Sequence, residues 1–316
     1  MTDPVHAELA AVCRGRVLAQ APLSALTTLR VGGAARVLVT AEGDGDLEAV
    51  SAVCRDHALP WAVVGRGSNL LVADAGWPGV AVVLGRGYRG LDMAAGTVVA
   101  GAAEPLPSLA VRVADAGYGG FAWACAVPGT LGGAVRMNAG AHGGDMASHL
   151  TEVEVFRLSS ATREQWPVAA LGLSYRHSEL PDDAVVVRAS MALAPAEPAQ
   201  VRAEIASIRA WRRAHQPLNE PNCGSVFTNP PGESAGRLID TAGCKGRTVG
   251  GARVSERHAN FIVTRPGATA TDVATLIACV VAEVERTHGI RLRPEVRRLG
   301  AVEVDQARVD RAAAGP

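Results

Sequence analysis

Pro128-Gly129-Thr130-Leu131-Gly132-Gly133-Ala134-Val135-Arg136-Met137-Asn138-Ala139-Gly140-Ala141 is the least ordinary stretch of this 316-residue chain. Small side chains dominate it, so its backbone can lie against a flat or extended ligand, and Asn138 adds an amide that both donates and accepts hydrogen bonds. Six glycines fall within 127–144 (Gly129, Gly132, Gly133, Gly140, Gly143 and Gly144), and the segment reads as loop. A ligand-holding loop and a compact turn region both fit those residues. Upstream, the apolar strand at 61–64 runs into Gly65-Arg66-Gly67-Ser68-Asn69, where backbone N–H groups could approach a diphosphate and Ser68 and Asn69 add side-chain hydrogen bonds. A plain strand-to-turn element fits equally well. It is not a P-loop, because no Gly-Lys-Ser/Thr ending follows, and Leu70 breaks the G-x-G-x-x-G pattern.

Outward from these loops, periodicity marks strands at 37–40, 80–84, 97–101, 153–156 and 184–192. Helices are expected at 46–57, with Leu47, Val50, Val53 and Cys54 on one face, and at 107–116, stopped by Gly117. Ala194-Pro195-Ala196-Glu197-Pro198 reads as a linker. Beyond it come a helix at 199–214, a strand at 225–227, a helix at 234–242 and strands near 252 and at 261–263. The clearest helix opens with the capping pair Thr269 and Asp272, carries Val273, Leu276, Ile277, Val280 and Val284 as one stripe, and ends at Gly289. Strands and helices in this irregular order point to an α+β fold rather than a doubly wound α/β sheet. The expected organisation is a leader at 1–23, a first domain at 24–197, a second at 198–303 and a loose tail at 304–316.

Composition removes several function classes. Lys plus Arg and Asp plus Glu are both 31, so no global positive field exists for a phosphate backbone, and aromatics at 4% leave little for base stacking. A nucleic-acid partner is not expected. Apolar residues at 48% supply the cores, and no run of eighteen apolar residues exists to span a membrane. The first residues lack a basic start followed by an apolar run, so no secretory signal is read there. Six scattered cysteines without a C-x-x-C pair, and eight histidines without ligand spacing, predict neither a metal site nor a redox dithiol. A reduced, cytoplasmic chain is the simplest reading.

Single residues add candidates. Arg176, beside Tyr175, could clamp a carboxylate or phosphate, although most arginines are merely solvated. Ser225 follows Gly224 just before a strand, outside any G-x-S-x-G elbow. Glu295 lies in the strand-like Leu292-Arg293-Pro294-Glu295-Val296, where desolvation would raise its pKa for proton transfer and where an ion pair with a neighbouring arginine is the plainer alternative.

Taken together, these pieces resemble one family in order and spelling: the UDP-N-acetylenolpyruvoylglucosamine reductases (MurB), flavoenzymes of bacterial peptidoglycan precursor synthesis. The resemblance is carried by Thr28-Leu29-Arg30-Val31-Gly32-Gly33, Gly65 to Leu71, Pro128 to Gly140, Tyr175-Arg176-His177-Ser178, Gly224-Ser225-Val226-Phe227-Thr228-Asn229-Pro230, Ala242-Gly243-Cys244-Lys245-Gly246 and Pro294-Glu295-Val296. It implies an FAD-binding domain of the vanillyl-alcohol-oxidase (PCMH) type, followed by a smaller α+β domain for the UDP-sugar. Gly65, Arg66, Gly67, Ser68, Asn69 and Leu70, with Pro128, Gly129, Thr130, Gly132, Gly133, Ala134 and Asn138, fall on the family's flavin-holding segments. Arg176, Ser225 and Glu295 fall on its catalytic trio, and Tyr175, Asn229 and Lys245 are taken as substrate-binding candidates. Ser178 leads within a few residues to the next strand, so the chain resembles the shorter class without a tyrosine-bearing loop. Thr130, His142 and Asp145 depart from the family's commoner serine, tyrosine and glutamate.

The resemblance implies that NADPH reduces FAD, which reduces the enolpyruvyl ether of a UDP-sugar, with Arg176 and Glu295 at the carboxylate end and Ser225 as proton donor. It also implies a cytoplasmic monomer acting on small molecules, without a metal. Lys245 is the only lysine, which points to a need for a compact ammonium near a diphosphate, with simple surface placement as the alternative. Two other functions stay open at this stage: a flavin oxidase of the same superfamily, and a non-catalytic UDP-sugar binder.

Overall fold

The helix expected from Leu47, Val50, Val53 and Cys54 is present as Asp44–Asp56, and those four side chains are buried. The computed structural model describes residues 3–313, with side chains placed through residue 310. The chain forms two compact units. One comprises the chain up to Gln20 with Arg36–Arg66 and Gly79–Trp211; the other comprises Ala21–Ala35, Gly67–Pro78 and the chain from Arg212 onward.

The first unit contains a five-stranded antiparallel sheet in the order Thr162–Pro167, Leu150–Arg157, Ala184–Ala192, Thr97–Gly101, Leu91–Ala94. Its core packs Val98, Ala100, Val153, Val155 and Met191 with Leu106, Leu109 and Val113 of the helix Leu106–Asp115. A second, four-stranded sheet runs Val17–Pro22, Ala34–Ala41, Trp77–Leu84, Trp61–Val63, the last pair parallel. Among the strands that escaped the sequence reading, two in the five-stranded sheet share a reason. Thr162–Pro167 and Leu91–Ala94 lie at the edges of their sheet and bury no side chain fully, so they carry little apolar alternation.

The second unit has an antiparallel sheet, Asn222–Ser225, Phe261–Thr264, Ala252–Val254, Thr248–Val249, and a parallel pair of Leu70–Val72 with Arg297–Leu299. The helix Ala270–His288 packs the expected stripe into the core. Thr269 and Asp272 close the capping box, Asp74 accepts from the N–H groups of Ala270 and Thr271, and Gly289 takes the left-handed cap conformation at φ +68°.

Three boundaries differ from expectation. The leader is part of a core: Val5 and Leu9 of the helix Pro4–Val12 are fully buried against the helix Asp44–Asp56, and the buried Asp46 carboxylate accepts from the N–H groups of Arg14, Gly15 and Glu42. The linker stretch is also fastened, because Gly119 N–H donates to Ala194 O and Ala196 N–H to Gly117 O, and Val201, Ile205 and Ile208 of the helix Pro198–His215 enter the first unit's core. The first unit therefore runs on to Trp211, and the second borrows 21–35 and 67–78 because Leu29, Val31 and Leu71 complete its core. Finally, the helix Gln306–Ala313 replaces most of the loose tail: Val309 is buried and Asp305 N–H donates to Thr275 Oγ1. The last tail residues, 314–316, lie outside the described residues. Among the described residues no helix is long and apolar enough to cross a membrane.

Candidate functional site

Within the first unit, the two glycine-rich segments meet. A Cβ on Gly65 would lie 2.9 Å from Thr130 Oγ1, so only glycine fits there without displacing Thr130. The segment read as loop contains a short helix, Leu131–Arg136, with Thr130 as N-cap accepting from Gly133 N–H at 3.4 Å. Its glycines made it read as loop, whereas the fold uses them for close approach: Gly132 N–H donates to Ala102 O, and a Cβ on Gly132 would stand 3.0 Å from that of Ala102. Ala134 is buried behind it, while Gly65, Arg66, Pro128 and Gly133 are exposed and Gly129 and Thr130 are half-buried.

Asn138 does something other than read a ligand edge. It is 2% exposed, its Oδ1 accepts from Ala147 N–H at 2.9 Å and its Nδ2 donates to Ser174 O at 2.8 Å. The amide thus ties the glycine-rich segment to the turn at 174–177, in which Ser174 and His177 exchange backbone hydrogen bonds around Tyr175 and Arg176. Arg176 sits at φ +58°, rare for a residue with a side chain. Its Nη2 donates to Gly140 O at 2.5 Å, and its guanidinium lies 5.0 Å from the centroid of the exposed Tyr175 ring. Beyond the turn, Ser178 Oγ donates to Arg136 O, and the Arg136 guanidinium donates to Pro181 O and Asp182.

Within the second unit, Ser225 and Glu295 are brought to neighbouring segments. Ser225 is exposed at the end of the strand Asn222–Ser225, opposite Phe261. Glu295 N–H donates to Val226 O at 2.7 Å, next to Ser225, and Phe227 bridges Pro294. Asn69 joins them: its Nδ2 donates to Glu295 O at 3.2 Å, and its own carbonyl accepts from Arg297 N–H. Gly67, at φ +57°, has Leu26 O only 2.2 Å from where a Cβ would be, and its carbonyl accepts from Thr28 N–H. The first glycine-rich loop therefore divides, Gly65 and Arg66 belonging to the first unit and Gly67, Ser68, Asn69 and Leu70 to the second. Arg176 belongs to the first unit, and Ser225, Asn229, Lys245 and Glu295 to the second.

Asn229 Oδ1 accepts from Ala235 N–H and closes the loop before the helix Ala235–Thr241. Lys245 is exposed and its Nζ lies 2.6 Å from Asp240 Oδ2, the arrangement of an ordinary surface ion pair. The residue that sequence reasoning missed is Asn260, buried at the head of the apolar strand Phe261–Thr264 and bonded to the backbone of Phe227. An amide placed at the start of an apolar run was the available signal.

Cys223, two residues before Ser225, is buried. Burial pushes its thiol up to about 12, and the Glu295 carboxylate acts in the same direction. Iodoacetamide at mildly alkaline pH is therefore expected to spare Cys223 in the native protein and to label it after unfolding, as peptide mapping would read; native labelling would contradict this burial. By linkage, the buried neutral thiol favours the folded state fully below the ordinary value of 9.0, and that contribution is lost as pH climbs towards 12.

Residues 216–299 match a family model described as "UDP-N-acetylenolpyruvoylglucosamine reductase, C-terminal domain", and residues 35–165 match one described as "FAD binding domain". A UDP-N-acetylenolpyruvoylglucosamine reductase of Heliobacterium modesticaldum is 45% identical over 289 residues, covering 91% of this chain and 92% of its own. One of Geobacter metallireducens is 41% identical over 300 residues, covering 95% and 99%. The crystal structure of UDP-N-acetylenolpyruvylglucosamine reductase (MurB) from Thermus caldophilus superposes with a TM-score of 0.77 at 36% identity, over 90% of this chain and 98% of that one.

Proposed function

Because this chain belongs to the UDP-N-acetylenolpyruvoylglucosamine reductase family, we propose that it uses NADPH and FAD to reduce the enolpyruvyl ether of UDP-N-acetylglucosamine to UDP-N-acetylmuramate, in peptidoglycan precursor synthesis. The observation that carries the proposal is that the Glu295 backbone is bonded both to Asn69 and to Val226 O, which puts Glu295 on a segment adjoining the one that ends in Ser225, within the second unit. A proton donor and a carboxyl group on adjoining segments suit the protonation of an enolate-like carbon.

The first unit's residues fit FAD. Exposed Gly65 and Gly133 and half-buried Gly129 offer backbone that a diphosphate can approach closely, with the exposed Arg66 and half-buried Thr130 beside them. When bound, FAD supplies hydride, taken from NADPH, to the terminal vinyl carbon of the substrate. Negative charge then passes through the adjacent carbon onto the carboxylate. Arg176 is assigned to that carboxylate, which its fork can grip with two hydrogen bonds. Glu295, protonated, donates to the same end rather than repelling it. Ser225 Oγ–H gives its proton to the carbon alpha to the carboxylate, completing a lactyl ether. Tyr175, Asn229 and Lys245 are assigned to the rest of the UDP-sugar, with Lys245 exchanging its partner Asp240 for a phosphate oxygen. Asn138 is reassigned from the cofactor to the support of Arg176. The same reading makes the protein a cytoplasmic monomer with neither a metal nor a nucleic-acid partner.

The test is spectroscopic. The purified protein is expected to be yellow, to bleach with NADPH without air, and to recover its colour on addition of UDP-N-acetylglucosamine enolpyruvate. Recovery with oxygen alone at a comparable rate would instead indicate an oxidase, and sugar binding without recovery a non-catalytic binder.

A further inference from the structure

We infer that Asn260 is the residue that positions Ser225 for proton delivery; this rests on the function proposed above. Asn260 is 4% exposed. Its Oδ1 accepts from Phe227 N–H at 2.9 Å, its Nδ2 donates to Phe227 O at 2.8 Å, and its own carbonyl accepts from Val226 N–H at 2.9 Å. The remaining polar backbone group of this dipeptide, Val226 O, accepts from Glu295 N–H at 2.7 Å. All four main-chain groups of Val226 and Phe227 are thus fixed, three of them by one asparagine.

The need for such a clamp follows from the strand. The ladder between Asn222–Ser225 and Phe261–Thr264 shifts register before it reaches Ser225, and Ser225 opposite Phe261 is its last pair. Beyond that pair the ladder to Phe261–Thr264 ends and the segment bridges Pro294 instead, so on the side of Phe261–Thr264 the carboxamide of Asn260 supplies what a continuing strand would: one donor and one acceptor facing one residue. Ser225 therefore precedes two peptide units that cannot rotate, which sets the direction in which its hydroxyl leaves the backbone. The same clamp holds Glu295 in place, through Val226 O. A buried amide at the head of an apolar strand is costly unless both ends are bonded, and here both are.

Asn260→Asp in the full-length FAD-loaded enzyme separates positioning from mere packing. The acid has the amide's shape. In its neutral form it can donate to Phe227 O and accept from Phe227 N–H, whereas ionised it presents an oxygen to Phe227 O and repels it. Burial raises such a carboxyl above its ordinary value, so the competent form persists at the acid end and disappears as pH rises. Titratable and charged groups on the surrounding segments include His258, whose Nδ1 accepts from Asn260 N–H, Glu295 and Arg293 on the segment that bonds Val226 and Thr228, and Cys223 before Ser225. They are present in both proteins, so the ratio of variant to unsubstituted rate isolates residue 260.

That ratio, for recovery of reduced flavin by the UDP-sugar, is expected to be near one at the acid end and to fall on the order of 10²-fold with rising pH. KM should move far less than kcat, and bleaching by NADPH should match the unsubstituted enzyme at every pH. Asn260→Ser, too short to reach both groups, should show the low rate at all pH values and faster amide exchange at Val226 and Phe227. An Asn260→Asp ratio that stays flat with pH, an unchanged recovery rate in Asn260→Ser, or equal losses in both half-reactions would overturn the inference. If Asn260→Asp does not fold, Asn260→Ser and its amide exchange decide. Ser225→Ala measured alongside distinguishes the two readings: if its recovery is unimpaired, the proton-donor assignment itself is wrong, whereas impaired Ser225→Ala with normal Asn260 variants rejects only the role of Asn260.

Discussion

Ser225→Ala is expected to slow recovery of the reduced flavin by the UDP-sugar about 10²- to 10⁴-fold, the range in which general acids contribute, while bleaching by NADPH proceeds at the unsubstituted rate. The split follows from where the side chain lies. Ser225 is exposed at the end of its strand, and alanine there leaves the pairing with Phe261 and the Glu295 contact to Val226 O untouched. No buried polar group is orphaned, so melting should change little. Turnover in heavy water offers an independent check. With unlabelled NADPH, deuterium should enter at the carbon alpha to the carboxylate in one configuration, because Ser225 delivers a solvent-exchanged proton to one face. Residual turnover by Ser225→Ala should lose that single configuration, since water would then supply the proton. Ser225→Cys should fall in between: a thiol is the stronger acid, but its sulfur is larger and a weaker hydrogen-bond donor. Recovery at the unsubstituted rate in Ser225→Ala would remove serine from the mechanism.

The legible part of this molecule was whatever buries apolar side chains on one face. The helices Asp44–Asp56 and Ala270–His288 announce themselves by their stripes, and the second also by its capping pair and Gly289. The motifs assigned to the site could be picked out one by one as spellings. What they hold could not. Thr130 to Arg136 read as loop because two of its residues are glycines, yet the missing side chains let a helix press against Ala102. Asn138 read as a ligand amide, and only the fold reveals the backbone groups of Ala147 and Ser174 waiting for it. The boundary was misplaced at a proline-rich stretch because composition marks where a chain could be loose, and hydrogen bonds from Gly119 to Ala194 and from Ala196 to Gly117 decide that it is not. Asn69 and Glu295 are 226 positions apart, a partnership that no local pattern encodes.

Gly144→Ala tests whether the small residues of this region serve the site through packing. A Cβ at Gly144 would fall 2.2 Å from Trp123 Cδ1, 2.6 Å from Cγ and 2.8 Å from Nε1. These are ring atoms of a side chain only 3% exposed, itself set edge-on against Phe121 at 5.4 Å between centroids. No flexible chain end can give way, so either the indole or the hairpin must move. Overpacking of this kind costs about 1–3 kcal/mol, and Gly144→Val should exceed it. Melting followed by circular dichroism should drop by about 2–4 °C for each kcal/mol. The hairpin is the weaker side: it pairs Gly140 with Asp145 and Ala141 with Gly144, and Gly140 O is the acceptor for the Arg176 guanidinium. Displacing Gly144 therefore displaces the anchor of the residue assigned to the substrate carboxylate, and KM for the UDP-sugar should rise together with the loss of stability. Gly143→Ala is the control, because nothing lies within 4 Å of its Cβ position and only its φ of +84° is at stake. It should lower melting modestly and leave KM alone. If Gly144→Ala melts and binds as the unsubstituted protein does, Trp123 has room to retreat and the hairpin does not transmit packing to Arg176.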